Sequence, residues 1–330
     1  MEDVAARAGV SRALVSLVMR GSPKVSEQRR QAVLAAAAEL GYAPHAMARS
    51  LASRTSTVVG VLVSDLRNAF FAEVIDGLDA TARDQGFDLI MNTGGRSAAR
   101  EAKALASLLS FRPAGVVLLS PVLPAAAIRS AAAQAPVVLV SRASRLSTVD
   151  TVNDDGEAGT ALAVDHLATL GHRAIAHFDG GGAATAAARR RGYLAAMRRH
   201  GLPELVIASE HTDTAGAKAV RELLDRPELP TAVVAGNDFS AVGAISAFED
   251  AGLRVPQDVS VVGYDNTSLA ALCHVSLTTV DQPRLELGRL AADALLERVR
   301  GVRTAPVRHL LHPSLVVRAT TAAPRRGART

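Results

Sequence analysis

At 330 residues, 48% of them hydrophobic and 21% charged, the chain is long enough for two or three folded units and too apolar to be disordered. No apolar run reaches ~18 residues, and the acids Glu2 and Asp3 stand where a secretory leader would be basic and then apolar, so neither a membrane span nor a leader is expected. Cys273 is alone, which excludes an intrachain disulfide and a multi-cysteine zinc site and fits a reducing, cytoplasmic setting.

The basic excess is concentrated at the start. Residues 1–56 carry eight Lys or Arg against four acids, while the remainder carries 29 against 28. That is the electrostatic footprint of a small nucleic-acid-binding module, although a solvated helical face gives the same count. The pattern there is wholly helical. DVAARA is a short helix, and Gly9 supplies the left-handed residue of a tight turn. Ser11 caps a second helix through about Met19, Gly21-Ser22-Pro23 breaks it, and Ser26 caps a third, EQRRQAVLAAAAEL, stopped by Gly41. Val4, Ala8, Val15, Met19, Val33, Ala37 and Leu40 are expected to form its small core. Two short helices joined at a glycine corner form a helix-turn-helix signature. Pro44 opens a fourth, brief segment, HAMARSLAS, too short to hold a helix in water unless docked. The expected boundaries are 1–43 for the helical domain, 44–57 for a hinge and linker, and 58–330 for the core.

From Val58 the pattern becomes α/β. TVVGVLV, FDLIMN, GVVLLS and PVVLVS read as buried strands alternating with helices, one of which, at 71–84, closes on Gly86. After Asn153 the alternation restarts: helices closing on Gly171, Gly201 and Gly252 precede strands AIAHF, LVIAS and VSVVGY. Apolar strands alternating with helices imply parallel sheets covered on both faces, here in two similar halves with a ligand cleft at the strand carboxyl ends.

Catalytic and metal signals are weak. Gly180-Gly181-Gly182 lacks both dinucleotide and P-loop spacing and reads as a polar turn. There is no H-E-x-x-H, no G-x-S-x-G and no metal-spaced histidine pair, so no catalytic or metal residue and no cofactor is expected. Asp154-Asp155 suits a helix N-terminus. What remains is binding: Phe70 and Phe71 after the first strand, Arg189 on the helix following AIAHF, Asn237 and Asp238 after TAVVAG, and Asp265 after VSVVGY. Aromatic faces, carboxylates and an arginine at strand ends suit a small polar ligand such as a sugar or nucleobase, although capping and core packing are rival roles for each residue singly.

The strings DVAARAGVS, VSEQRRQAVLAAAAELGYAPHAMARSLAS, NAFFAEVIDGLDATARDQGFDL, DHLATLGHRAIAHF, PTAVVAGNDFSAVGAISAFEDAGLRVPQDVSVVGYDN and SLTTVDQP occur in one order along nearly the whole chain. In these stretches the protein resembles the LacI/GalR family of bacterial transcriptional repressors. The resemblance implies an all-α helix-turn-helix domain and a hinge helix, followed by a two-lobed α/β core of periplasmic-binding-protein type. It also implies a homodimer or higher assembly, double-stranded operator DNA as partner and a small-molecule effector, carbohydrate in class. It makes the second helix the recognition helix, with Arg12 and Ala13 reading bases, Ser16 on phosphate and Leu17 at a position where the family often has arginine. Leu14 likewise stands where the family has threonine; the two leucines either touch thymine methyl groups or make no contact. Arg20, Lys24, Arg29 and Arg49 are then phosphate contacts, and Ala48 and Leu51 meet the minor groove, Leu51 as a wedge between base steps. His45 replaces a common asparagine, and Met1 falls where the family has isoleucine, so a slightly earlier start is expected. The resemblance places Phe70, Phe71, Arg189, Asn237 and Asp265 in the effector cleft.

Overall fold

The computed structural model describes residues 1–19, 22–42 and 56–325. Two units emerge, Met1–Thr57 and Val58–Thr330. In the first, α1 (Glu2–Arg7), α2 (Arg12–Met19) and α3 (Glu27–Glu39) enclose a core of Val4, Val15, Val18, Val25, Val33 and Ala37. The Ser11 hydroxyl accepts from Leu14 N at 3.3 Å, capping α2 one turn in. Gly9 and Gly41 take the positive φ that a tight stop requires, +64° and +61°. Three expectations are corrected here. Ser26 stands at the start of α3 but its hydroxyl makes no capping bond. Leu40 is exposed, because the chain has already left the helix at that residue. Val18, three residues after Val15 and on the same side, is a core residue that the expected set lacks, while Met19 is half-buried and packs against that core as expected. The expected hinge helix, with Ala48, Arg49 and Leu51, and Arg20 lie outside the described residues.

The second unit holds two six-stranded sheets. The first lobe starts with β1 (Val58–Val63), α4 (Ala69–Asp84), β2 (Asp88–Thr93), α5 (Ala98–Ser110), β3 (Gly115–Leu119), α6 (Ala125–Ala132), β4 (Val137–Val140) and β5 (Asp150–Asp154). The second follows with α7 (Gly156–Thr169), β6 (Ile175–Phe178), α8 (Ala186–Arg199), β7 (Leu205–Ile207), α9 (Asp213–Leu224), β8 (Ala232–Val234), α10 (Asp238–Asp250), β9 (Ser260–Asp265) and β10 (Thr278–Asp281). The chain then returns to the first lobe through α11 (Arg284–Val299) and β11 (Arg308–Leu311), and ends in the second with β12 (Ser314–Val316). The strand orders are β11-β5-β4-β3-β1-β2 and β12-β10-β9-β8-β6-β7. Every pairing is parallel except that of β12 with β10. The chain therefore crosses between lobes three times, and the strand carboxyl ends of both lobes meet at the cleft.

The buried runs VVGVLV and GVVLL make β1 and β3 central, since both their faces are covered. α11 belongs to the first lobe's core: Leu287, Ala291 and Leu295 pack with Val74 and Leu78 of α4. The two helices cross at glycines, because a Cβ on Gly288 would sit 2.0 Å from Val74 O and one on Gly77 would sit 2.1 Å from Leu285 O. Sequence reading does not identify β5, α9, β10, α11, β11 or β12 as elements; β5, DTVND, is polar at every position but Val152 and carries no apolar run.

Candidate functional site

Recognition of DNA by a helix needs a polar or small-residue face set against a buried one. Val15 and Val18 bury one side of α2, which leaves Arg12 and Ala13 exposed and Ser16 half-buried on the remainder. Leu14 and Leu17 do not stand free on that face: both are half-buried against the three-helix core. The Arg12 guanidinium donates to Glu2 Oε1 at 3.2 Å, which ties the exposed arginine of α2 to α1. Lys24 and Arg29 are exposed, on the turn and on α3 respectively.

Within the second unit, side chains at strand ends assemble a buried polar network. Arg189 on α8 is 3% exposed; it donates to Gly236 O and to Asp265 Oδ1, the latter at 3.4 Å, with its guanidinium carbon 3.6 Å from the Tyr264 ring centroid. Gln282 Nε2 donates to the same Asp265 oxygen at 2.6 Å. Burial pushes the Asp265 carboxyl above the usual carboxylate range, against the opposing pull of Arg189. Asn237 caps α10, its Oδ1 accepting from Ser240 N at 2.9 Å, so the capping role is real. Among the buried side-chain atoms of the described residues that have no hydrogen-bond partner are Arg189 Nε, Asn237 Nδ2, Gln282 Oε1 and His211 Nε2. Buried polar atoms are normally paired, so each of these is a candidate for a contact with a ligand or a water.

Of the recesses that open between the lobes, two lie beside this network. One, of about 150 Å³, is bordered by Ser64, Asp65, Phe71 and Arg96 from the first lobe and by Glu210 and His211 from the second. The other, of about 250 Å³, is bordered by Ser141, Asn153 and Asp154 and, across from them, by Gly156, Ala188 and Arg191. The network abuts both: His211 borders the first and Asp154, which accepts from the Tyr264 hydroxyl, borders the second, while Arg189, Asn237, Asp265 and Gln282 line neither. A Cβ on Gly156 would lie 3.4 Å from Arg189 Cγ, and the His211 ring fills the space that a side chain on Gly180 or Gly236 would need, 2.2 Å and 2.9 Å from the positions their Cβ atoms would take. Burial, together with the nearby charges of Arg189 and Arg96, holds His211 neutral, well below the usual histidine range.

Of the residues anticipated from sequence, Arg189, Asn237 and Asp265 come together here. Phe71 borders the first recess; Phe70 packs edge-on against it, centroids 5.2 Å apart, as a core residue of the first lobe that does not line either recess. Asp238 turns toward the loop after β9, accepting from Thr267 N at 2.7 Å and from the Thr279 hydroxyl, which makes it a brace for that loop. Asp155 caps α7 through Ala158 N at 3.0 Å, as its position before a helix implies, while Asp154 accepts from the Tyr264 hydroxyl. His211, Gln282, Arg96 and Glu210 escaped sequence reading; the available signal for the last three was position just after a strand. Gly180 and Gly181 form the expected turn, with φ of +83° and +59°.

Among the described residues no cluster of three or more His, Cys, Asp or Glu is placed to hold a metal ion, and no helix is long and apolar enough to cross a membrane. Residues 1–45 match the family description "Bacterial regulatory proteins, lacI family" and residues 164–321 match "Periplasmic binding protein-like domain". The chain is 34% identical over 328 residues to the HTH-type transcriptional repressor CytR of Escherichia coli K12, covering 98% of this chain and 96% of that one. Among solved structures it is similar to the lac repressor dimer bound to operator and the anti-inducer ONPF, at 31% identity and a TM-score of 0.85, covering 97% and 98% of the two chains. It is also similar to a complex of the transcriptional regulator CelR with cellobiose, at 33% identity and a TM-score of 0.74, covering 97% and 98%. The helix-turn-helix unit, the two-lobed α/β core and this end-to-end similarity together show that the chain belongs to the LacI family of bacterial transcriptional regulators.

Proposed function

We propose that the protein is a cytoplasmic, homodimeric repressor that acts by binding and not by catalysis, its operator affinity set by a carbohydrate or carbohydrate derivative held between the lobes. The observation that carries the effector half is the set of unmatched buried atoms on Arg189, Asn237, Gln282 and His211. In this reading Arg189, Asn237 and Asp265 bind the effector with Phe71 at the cleft edge, and Phe70 and Asp238 support them from behind.

Arg12 and Ala13 read bases, with Ser16, Lys24, Arg29 and the flanking Arg20 and Arg49 on phosphate; Ala48 and Leu51 enter the minor groove. Leu17 packs against the three-helix core and either touches a thymine methyl group or makes no base contact. The functional divisions are 1–43, 44–57 and 58–330. One helix-turn-helix makes few base contacts, so specific affinity requires two half-sites and hence two copies. The effector acts only through its differential affinity for two lobe arrangements, one of which favours folding of the hinge on DNA. A gel shift on the DNA upstream of its own gene, with full-length protein and with residues 1–56 removed, tests this. Preference over random DNA that is lost with the segment supports the reading; equal binding to both DNAs by the full-length protein ends it.

A further inference from the structure

The recesses between the lobes carry more carboxylate than cation. In the first, Arg96 is the guanidinium, and it already bridges the lobes: its Nη2 lies 3.1 Å from Glu210 Oε2 of the second lobe and its Nε lies 3.7 Å from Asp65 Oδ2 of the first. Asp65 remains ionised, because hydrogen bonds from Arg67 and the charges of Arg67 and Arg96 outweigh its burial and hold it below the usual carboxylate range. In the second recess Arg191 is paired with Glu157 at 2.7 Å, beside Asp154 and Asp155. Deeper in, Arg189 is bound to Asp265 and Gly236 O, and Arg284 to Glu73 and Asp281. Among the described residues around the cleft, each of these arginines already faces a carboxylate. The groups left unmatched are of another kind: neutral His211 Nε2 bordering the first recess, the Ser141 hydroxyl bordering the second, and, in the buried network that lines neither, donors on Arg189 Nε and Asn237 Nδ2 and an acceptor on Gln282 Oε1. A mixed set of donors and acceptors matches hydroxyl groups, which both give and take a hydrogen bond. It does not match a phosphate or carboxylate, which only accepts, nor an ammonium, which only donates.

We infer that the effector is an uncharged polyhydroxylated molecule, and that phosphorylated, acidic and amino derivatives of the same skeleton are rejected. An anion entering the first recess must either meet Asp65 and Glu210 or detach Arg96 from Glu210, and like-charge juxtaposition or an unpaired charge disfavours it in both cases. This rests on the reading of the cleft as a carbohydrate site and narrows it by charge.

The test is calorimetric titration of the full-length protein with matched pairs: ribose and ribose 5-phosphate, glucose and glucose 6-phosphate, galactose and galacturonate, glucose and glucosamine, adenosine and adenosine monophosphate. The expected result is binding by the neutral member of at least one pair, with its charged counterpart weaker by about ten-fold or more. A charged member that binds as tightly as its neutral parent, or more tightly, overturns the inference and leaves the carbohydrate cleft standing. No binding by any member, with DNA binding intact, overturns both. Glu210→Gln supplies a second readout: with Arg96 released from the opposite lobe, the neutral-to-phosphate preference should fall severalfold. An unchanged ratio would show that the Arg96–Glu210 bridge does not set the charge selection.

Discussion

Asp265 separates a binding role from a structural one, because it is both buried and central. Replacing it with alanine leaves the Arg189 guanidinium in the interior without its carboxylate, and removes the acceptor of Gln282 Nε2. Breaking a buried pair from one side costs roughly 3–5 kcal/mol. The lower end applies, because Arg189 keeps Gly236 O and the face of Tyr264. Asp265 also has a φ of +117°, which alanine tolerates less well than aspartate or asparagine. A loss of about 3 kcal/mol lowers the melting temperature of a core of this size by ~6–12 °C. Asp265→Asn keeps an acceptor for Gln282 and removes a carboxylate that burial already disfavours, so its loss should be about 1 kcal/mol. Thermal unfolding followed by circular dichroism, with operator binding measured alongside, checks both. The asparagine variant should bind DNA like the parent and respond weakly to effector. If the alanine variant melts within about 2 °C of the parent, the Arg189–Asp265 network contributes nothing to stability and the structural half of this reasoning fails.

Other consequences are independent of that network. Arg12→Ala should lose about 1–3 kcal/mol of discrimination at one base pair per half-site, whereas uniform weakening across sequences in a binding-site selection would make Arg12 a phosphate contact. Glu2→Gln frees Arg12 from its exposed partner and should strengthen DNA binding by no more than about 0.2–1 kcal/mol, read by anisotropy at low salt; a loss of affinity would contradict the competition. Gly288→Ala places a methyl 2.0 Å from Val74 O at the α4–α11 crossing, and should destabilise the core by about 2–3 kcal/mol in urea; a silent substitution would show that the helices can separate freely. His177 is fully buried and stacked on Tyr193, and burial lowers its pKa to about 4. The unfolded chain therefore binds the extra proton between pH 6.5 and about 4, and stability falls as pH drops through that window, by about 3 kcal/mol in all for this group. Urea unfolding of His177→Asn across the window should show a flatter dependence than the parent; an identical slope would assign the acid sensitivity elsewhere.

The alternation of elements was legible because a central parallel strand such as Val58–Val63 must be apolar on both faces, and because glycines at 86, 171, 201 and 252 close helices at positive φ. β5 was not, since its pairing with β4 and β11 comes from topology and not from hydrophobicity. The same distinction runs through the site. Asn237 and Asp265 announce themselves by following strands, but the Arg189–Asp265 pair joins residues 76 apart. Arg96 and Glu210 lie on loops of different lobes and meet only because the lobes face each other. Leu14 and Leu17, which look like misplaced DNA contacts in the sequence, are half-buried because three short helices lack enough apolar surface to close without them.

Effector-controlled operator binding is tested by fluorescence anisotropy of a labelled duplex from upstream of the protein's own gene against a scrambled duplex, at fixed salt, with and without a bound neutral sugar. The specific duplex should bind at least about a thousand-fold tighter than the scrambled one, and the sugar should change the first affinity while leaving the second nearly constant. Equal affinity for the two duplexes, or a sugar that binds the protein and shifts neither, would contradict it.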